Sequence, residues 1–542
     1  MPPIPTLQQK KIIEHDGNLV IIAKPGSGKT FVLSQKIQNI LPTLKKYKGV
    51  IAISFTNKAS KELEERSLPL GVDRKQSFFG TIDKFSISEI IIPFGKHIFG
   101  EFDIEEYKTI KLDDIETRTL SKDLKFDELQ SDQIEEITTF LNQGIIPMDL
   151  DSVIALYIIK NSVAAQNYMK ARYSHIIIDE YQDSRLAQHQ LFKYLVALGM
   201  TGIAVGDINQ SIYAFAGGNA EYLFSLTTEH SFQTFNLDLN HRSHKSIIYY
   251  SNTLISAKSD VSEDPEKRVF GKKIIGNYLE IANWLDEAIP KYINEYSVHN
   301  FCDIAILTRG AKNGASLIDE NLKLPHKFVY STDLDQDLGL WSVVFSRILS
   351  YCFDKKDTNI EVVEKFLNLE LLKSKTKNVL HLVKNLKCNF ATSWDIDYQI
   401  QLFIQIANLI YPKAESTRSI DLLQKVLSSQ ELLNQYKPAQ DNEVQIMTMH
   451  KSKGLEFDIV FHLDLYDFIF PAKRKNDVGQ WINVDFTQDL NLHYVSITRA
   501  KKACILCFST KRINRFGEEI SAKYSEFFTY NSVNKLSEAS KY

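Results

Sequence analysis

The chain has 542 residues, 44% of them hydrophobic and 24% charged, a length too great for one core and a balance that excludes a disordered or fibrous chain. With 64 Lys and Arg against 67 Asp and Glu, the formal charge is −3, which excludes a globally basic protein and leaves any polyanion to a local surface. Five scattered cysteines exclude a disulfide framework and imply a reducing, cytoplasmic compartment; the chain start lacks the apolar core of a signal peptide, and no apolar run approaches the roughly 18 residues of a membrane span.

In chain order, Leu19–Ala23 is a short apolar run predicted to be a buried parallel strand. It runs straight into Lys24-Pro-Gly-Ser-Gly-Lys-Thr30, after which helical spacing begins. Strand, Gly-rich loop and helix in this order make a phosphate loop. The loop Pro25, Gly26, Ser27 and Gly28 lets backbone N–H groups approach phosphate oxygens, and the helix N-terminus adds partial positive charge. Lys29 is placed to reach the β- and γ-phosphates and the Thr30 hydroxyl to ligate Mg²⁺, so ATP and Mg²⁺ are the expected ligands. Ala23 stands where such loops usually begin with Gly.

Val50–Phe55 is the next predicted strand, and helical spacing follows from about Ile91 to Ala171, with an acidic stretch around Glu101–Glu136. The strand His175–Asp179 ends in a carboxylate placed to hold the Mg²⁺ shell, and Glu180 beside it can take the proton of an attacking water. Gly202–Gly206 and Ile304–Thr308 read as further strands. From about Ser316 to Gln440 the spacing is helical again, over Trp341–Phe353, Ile360–Leu372, Tyr398–Ile410 and Ile420–Leu427; strand signals resume near Val444 and run to Phe508. Cys504 and Cys507 lie in the apolar run Ala503–Phe508, three apart on a strand and so on opposite sides, which argues against a shared metal. The expected class is α/β with parallel sheets and two mainly helical insertions.

Further segments carry a resemblance. Ile51-Ala-Ile-Ser-Phe-Thr-Asn-Lys-Ala59, Asp179-Glu-Tyr-Gln-Asp183, Gly206-Asp-Ile-Asn-Gln-Ser-Ile-Tyr-Ala-Phe215, Asn240-His-Arg-Ser243, Thr448-Met-His-Lys-Ser-Lys-Gly-Leu-Glu-Phe457 and Tyr494-Val-Ser-Ile-Thr-Arg-Ala500 resemble, in order, the motifs of UvrD/Rep/PcrA-type superfamily 1A DNA helicases. The resemblance implies two RecA-like motor domains: 1A at 1–90 and 170–236, 2A at 237–315 and 441–530. It places a helical 1B insertion at 91–169, a shortened 2B insertion at 316–440 and a C-terminal tail at 531–542.

It also implies residue roles. Gln9, with Gln8 as the alternative, resembles the adenine-reading glutamine; Gln210 would couple the γ-phosphate to the nucleic-acid groove; Arg242 and Arg499 resemble two arginine fingers; Glu456 resembles a nucleotide contact from the second motor domain. Phe55, Thr56, Asn57, Thr81, Tyr213, Phe215, Arg309, Thr448 and His450 fall at or near positions that meet single-stranded DNA, where aromatic rings stack on bases. Departures stand beside the matches. His241 replaces the aromatic that stacks on adenine, Asp83 a histidine near the DNA path, and Ala216 an arginine after Phe215. The acidic pair before the last motif is replaced by Leu490-Asn-Leu-His-Tyr494.

The activity implied is ATP-dependent 3′-to-5′ movement on single-stranded DNA with unwinding at ss/ds junctions, in repair, replication or anti-phage defence. The shortened insertions and altered DNA motifs support an alternative: a nucleic-acid-sensing ATPase that regulates a partner nuclease, as in UvrD-like subunits of Gabija-type systems. An RNA helicase is a third reading, which the DNA-type motif spellings disfavour. No RecB-type nuclease domain is expected after the last motif, and no membrane association is expected.

Overall fold

Wholly apolar runs fold as strands covered on both faces, because only neighbouring strands can then pair their backbone groups. The computed structural model describes residues 4–55, 57–69, 72–100, 108–212, 217–256, 266–337, 339–353, 358–363, 366–367, 373–392, 394–412, 416–514 and 516–542. Its first sheet is parallel and joins β1 (Leu19–Ala23), β2 (Gly49–Ile53), β3 (Phe78–Gly80), β4 (Tyr173–Ile178), β5 (Thr201–Gly206) and β6 (Gln233–Leu237) in the order β3-β2-β4-β5-β1-β6. The registers Leu19↔Ile203 and Leu19↔Gln233 seat β1 between β5 and β6. Strands β4, β5 and β1 are consecutive in space, so the loops after them share one edge, where open α/β sheets bind ligands.

The second sheet is also parallel. It joins β7 (Val269–Ile274), β8 (Ile304–Thr308), β9 (His326–Phe328), β10 (Val444–Thr448), β11 (Phe457–His462), β14 (Ala500–Ser509) and β15 (Glu538–Ala539) in the order β9-β10-β8-β11-β14-β7-β15. Between β11 and β14 a short antiparallel hairpin is inserted, β12 (Lys473–Lys475) and β13 (Trp481–Asn483). Cys504 and Cys507 both lie on β14 and pack into different apolar clusters, one beside Tyr250 and Met447, the other beside Tyr292 and Phe461. They occupy opposite sides of the sheet, as the two-residue period of a strand requires. Residues 531–542, read from sequence as a tail, supply the edge strand β15 and the buried Val533.

The helices that position the loops are amphipathic. Helix α1 (Leu7–Glu14) begins with a capping box between Thr6 and Gln9 and buries Ile12 and Ile13. Helix α2 (Lys29–Thr43) starts at Gly28 and buries Val32, Leu33 and Ile37 under the first sheet.

Contacts divide the chain into two units. One holds residues 1–82, 167–329 and 439–542, with both sheets; the other holds 83–166 and 330–438. In the second unit, α3 (Ser131–Asn142) and α4 (Asp151–Asn161) belong to the first stretch, with a parallel pair Lys108–Ile110 and Ile145–Pro147. Three-residue strands are too short to break a helical pattern in sequence, and β9 escaped notice for the same reason. The second stretch packs α6 (Leu340–Phe353), α7 (Lys373–Thr392), α8 (Ile396–Ile410) and α9 (Thr417–Ser428) around Trp341, Phe345, Val383, Phe403 and Leu423. The predicted helix Ile360–Leu372 begins within the observed helix Asn359–Val363, and most of its remainder lies outside the described residues. In the first unit, α5 (Tyr278–Tyr296) covers the second sheet and α10 (Phe486–Ile497) leads into β14. Among the described residues no helix is long and apolar enough to cross a membrane.

Candidate active site

The phosphate loop turns because Gly26 (φ 68°) and Gly28 (φ 83°) take left-handed conformations that favour glycine. There is no room for larger residues. A Cβ on Gly26 would lie 2.7 Å from Asn240 Oδ1, and one on Gly28 would lie 2.8 Å from Gln9 Nε2. Asn240 holds the loop from the end of β6: its Nδ2 donates to Pro25 O (2.7 Å), while its Oδ1 accepts from the N–H groups of Arg242 (2.7 Å) and Ser243 (2.9 Å). The His241 N–H donates to Gly26 O (2.8 Å), and its side chain is exposed. Gln9 is buried with both ends of its amide engaged, Nε2 on Ser27 O (3.1 Å) and Oε1 on Thr6 N–H (3.0 Å), whereas Gln8 is exposed.

Lys29 donates to Glu180 Oε1 at 2.9 Å. Burial alone would lower the Lys29 pKa, but the charges of Glu180, Asp179 and Asp207 outweigh it and raise it. Burial also opposes charge on Glu180, yet Lys29 and Lys453 and the hydrogen bond from Gln182 hold its carboxyl below the usual range. Asp179 is shifted the other way, by burial and by the negative charge of Glu180. Glu180 (φ 54°) is a left-handed residue without glycine's freedom, a conformation that aims its carboxylate at the loop. Gln182 ties the edge together: its Nε2 donates to Glu180 Oε2 (2.5 Å) and its Oε1 accepts from Asp207 N–H (3.0 Å). Gln210 Nε2 in turn donates to Asp207 Oδ2 (2.8 Å).

The second sheet contributes from α10 and the segment after β10. Arg499 is buried, with Nη2 on Gln210 Oε1 (3.3 Å), Nε on Val495 O (3.1 Å) and Nη1 on Leu455 O (3.2 Å). Burial, with Arg242 nearby, lowers its pKa to about 10, so it stays charged at neutral pH. Arg242 makes a close ion pair with Glu456 and donates to Thr498 O (3.4 Å). The sequence-derived residues Lys29, Glu180, Gln210, Arg242, Glu456 and Arg499 thus form one connected group across both sheets.

The described members of the predicted nucleic-acid set lie at or just beyond the C-terminal ends of strands. Phe55 follows β2 and is 40% exposed; Thr81 follows β3; Thr448 ends β10. Arg309 follows β8, and its guanidinium is held by buried Asp489 (2.8 Å) over the ring of Phe470. His450 is neutral, its pKa lowered to about 4 by burial and by Arg309 and Lys453. Thr56, Tyr213, Phe215 and Ala216 lie outside the described residues, as does the side chain of Asn57.

Sequence reasoning assigned no role to Lys453, Asp183, Gln182, Asn240 and Asp207, although all five stand inside the quoted motifs. Lys453 forms a close ion pair with fully buried Asp183 and donates to Gln210 O (2.9 Å), joining the two sheets. Asp489 directly precedes the stretch read as lacking its acidic pair, and it takes Arg309 and Ala472 N–H (2.7 Å).

The residues fit a magnesium nucleotide. Ser27 Oγ is buried inside the phosphate loop with no hydrogen-bond partner, a donor that a phosphate oxygen would satisfy. The Thr30 hydroxyl and the Asp179 carboxylate are hard oxygen donors of the kind Mg²⁺ takes alongside phosphates and water.

Residues 8–216 match the AAA domain family and residues 352–511 the UvrD-like helicase C-terminal domain family. Gabija protein GajB of Bacillus cereus (strain VD045) is 29% identical over 531 residues, spanning 95% of this chain and 97% of that protein. DNA helicase II of Rickettsia typhi is 22% identical over 651 residues, spanning 98% and 97%. ATP-dependent DNA helicase Rep of Buchnera aphidicola subsp. Acyrthosiphon pisum is 24% identical over 635 residues, spanning 96% and 97%.

Proposed function

Since the chain belongs to the UvrD-like helicase family, we propose that it is an ATP-hydrolysing DNA motor that moves 3′-to-5′ along single-stranded DNA and unwinds duplex at ss/ds junctions. The observation that carries the reading is the contact of Arg499, from the second sheet, with Gln210, three residues from Asp207 on the first. A nucleotide seated on the phosphate loop would be sensed by both sheets at once.

The roles follow from position and charge. The loop N–H groups and Lys29 bind the β- and γ-phosphates, and Lys29 exchanges its bond to Glu180 for phosphate oxygens. That exchange frees Glu180, ionised at neutral pH, to orient the attacking water and take its proton. Thr30 and Asp179 would hold Mg²⁺, which supplies charge neutralisation on the phosphate oxygens. Arg242 and Arg499 stabilise charge on the transferring phosphoryl group. Gln210 relays the state of the phosphate to the nucleic-acid groove. Phe55, Thr81, Thr448 and His450 line that groove, and Thr56, Asn57, Tyr213, Phe215 and Arg309 belong to the same assignment. The motor works in the cytoplasm.

A second reading rests on the comparison with GajB. The alignments with DNA helicase II and Rep run over 651 and 635 positions, more than the 542 residues here, whereas that with GajB runs over 531. The chain is thus as compact as a Gabija protein, which supports a defence ATPase that senses nucleic acid and regulates a partner nuclease. Steady-state ATP hydrolysis with and without single-stranded DNA, beside a strand-displacement assay, separates the two. DNA-stimulated hydrolysis with strand displacement supports the autonomous motor. Hydrolysis without displacement, or only in the presence of a nuclease partner, sinks it in favour of the second reading.

A further inference from the structure

Five of the twenty exposed large apolar side chains among the described residues fall between 468 and 484: Phe468, Val478, Trp481, Ile482 and Val484. Single exposed apolar residues are ordinary, but such a cluster is not. It sits on the β12–β13 hairpin and the turn before it. The hairpin register pairs Lys473 with Asn483, Arg474 with Ile482 and Lys475 with Trp481, so side chains alternate between two faces. On one face Trp481 (54% exposed) meets Phe468 (38%) edge to face at 4.7 Å. Lys475 lies over the Trp481 ring and Lys473 over the Phe468 ring, at 5.5 and 5.3 Å.

A two-stranded hairpin alone is marginal in water, and this one is fixed at both ends. At its tip Asn476 Oδ1 accepts from the N–H groups of Val478 (3.2 Å) and Gln480 (2.9 Å), and Gly479 takes φ 79°. At its base Ala472 O accepts from Val484 N–H (2.8 Å), and Ala472 N–H donates to Asp489, the same carboxylate that holds Arg309. The rings are therefore presented on a rigid arm that leaves the second sheet beside Arg309.

We propose that this face of the hairpin is a second binding site for single-stranded nucleic acid, with Trp481 and Phe468 stacking on bases and Lys475 meeting the phosphate backbone. Lys473 is already neutralised by Asp467 (2.7 Å) and Glu526 (3.4 Å), whereas Lys475 and Arg474 have no carboxylate within ion-pair distance among the described residues. Half-exposed aromatic rings beside an ammonium suit an unpaired strand, whose bases offer stacking surfaces and whose phosphates are anionic. A protein partner fits less well, because lysine is depleted at protein interface cores. The site goes beyond the proposed ATP-driven motor, and it rests on that reading only for the supply of single-stranded DNA.

The test is fluorescence anisotropy of a labelled twenty-nucleotide oligothymidylate with the full chain and no nucleotide. Trp481→Ala should weaken binding about tenfold and Lys475→Ala about threefold, while Trp481→Phe, which keeps a stacking ring, stays near wild type. The proposal is overturned if Trp481→Ala and Phe468→Ala both bind within about twofold of wild type, given the tenfold expected from one lost stack. It is equally overturned if they bind normally but no longer co-purify with a co-expressed nuclease, which would make the hairpin a protein-docking arm. Failure of wild type to bind the oligonucleotide removes both this site and the motor reading. Wild-type binding with DNA-stimulated hydrolysis, unchanged in the variants, removes this site alone.

Discussion

At the C-terminal edge of the first sheet, β1, β4 and β5 gather Asp179, Glu180 and Asp207 around a single buried ammonium, Lys29. At the same edge of the second sheet, Arg309 is held by Asp489, and Lys453 reaches across to Asp183. The first edge sets three carboxylates against Lys29, a surplus of negative charge that suits a divalent cation. The second edge has its cations already matched by buried carboxylates, so they act there as struts. The buried charges thus lie in one preorganised place, whereas the proposed contacts with nucleic acid draw on exposed groups, Phe55 after β2 and the β12–β13 hairpin.

Arg499 joins the two edges, and its loss should have the largest effect. Arg499→Ala is expected to lower the steady-state rate of ATP hydrolysis by about 10³–10⁵. Arg499→Lys should not restore it, because all three guanidinium nitrogens are engaged. Near-wild-type hydrolysis in either variant would show that the edges work independently.

Glu180→Gln tests the first edge alone. Hydrolysis should fall by about 10²–10⁴, the usual worth of a general base. Binding of a fluorescent ATP analogue should hold or tighten, since Lys29 no longer has a carboxylate to leave. Weaker binding would mean that Glu180 positions the loop and does not act on water.

Lys453→Met tests the strut. Removing one member of a buried pair costs about 3–5 kcal/mol, which should appear as a lower midpoint in thermal unfolding. Adding Asp183→Leu should recover part of the loss, because the uncompensated charge is then gone. Burial holds the Asp183 carboxyl up at about 6 even beside Lys453, so the double change removes a group that is costly to bury.

The smallest effect concerns the core beside the second sheet. His493 Nδ1 lies 2.9 Å from His462 Nε2, both rings are fully buried, and His493 stacks on Phe527. Burial pushes His462 down to about 4 and His493 well below its ordinary value. Their folded pKa values are depressed, so between about pH 6.5 and 4 the unfolded chain binds protons that the folded chain refuses. Stability should therefore be intact above pH 6.5 and fall by about 1.4 kcal/mol per histidine for each pH unit below it. Unfolding midpoints at pH 7.5 and 5.5 should differ more in wild type than in His493→Phe. Equal differences would assign the acid sensitivity elsewhere.

The strands β1 and β8 were legible to the residue, because short apolar runs bounded by polar loops suit strands buried on both faces. The phosphate loop was legible for a related reason: its glycines, lysine and threonine are adjacent in sequence, and the chemistry requires them in that order. Three-residue strands such as β9 were not legible, since three residues carry no periodicity. Nor were the roles of Lys453, Asp183 and Asp489. Each was present as a letter near a motif, but its partner lies 270 residues away for Lys453 and Asp183, and 180 for Arg309 and Asp489. Local pattern determined which groups this protein owns. Only the tertiary structure decided which charges meet, because burial makes an ion pair compulsory and the fold alone brings its two members together.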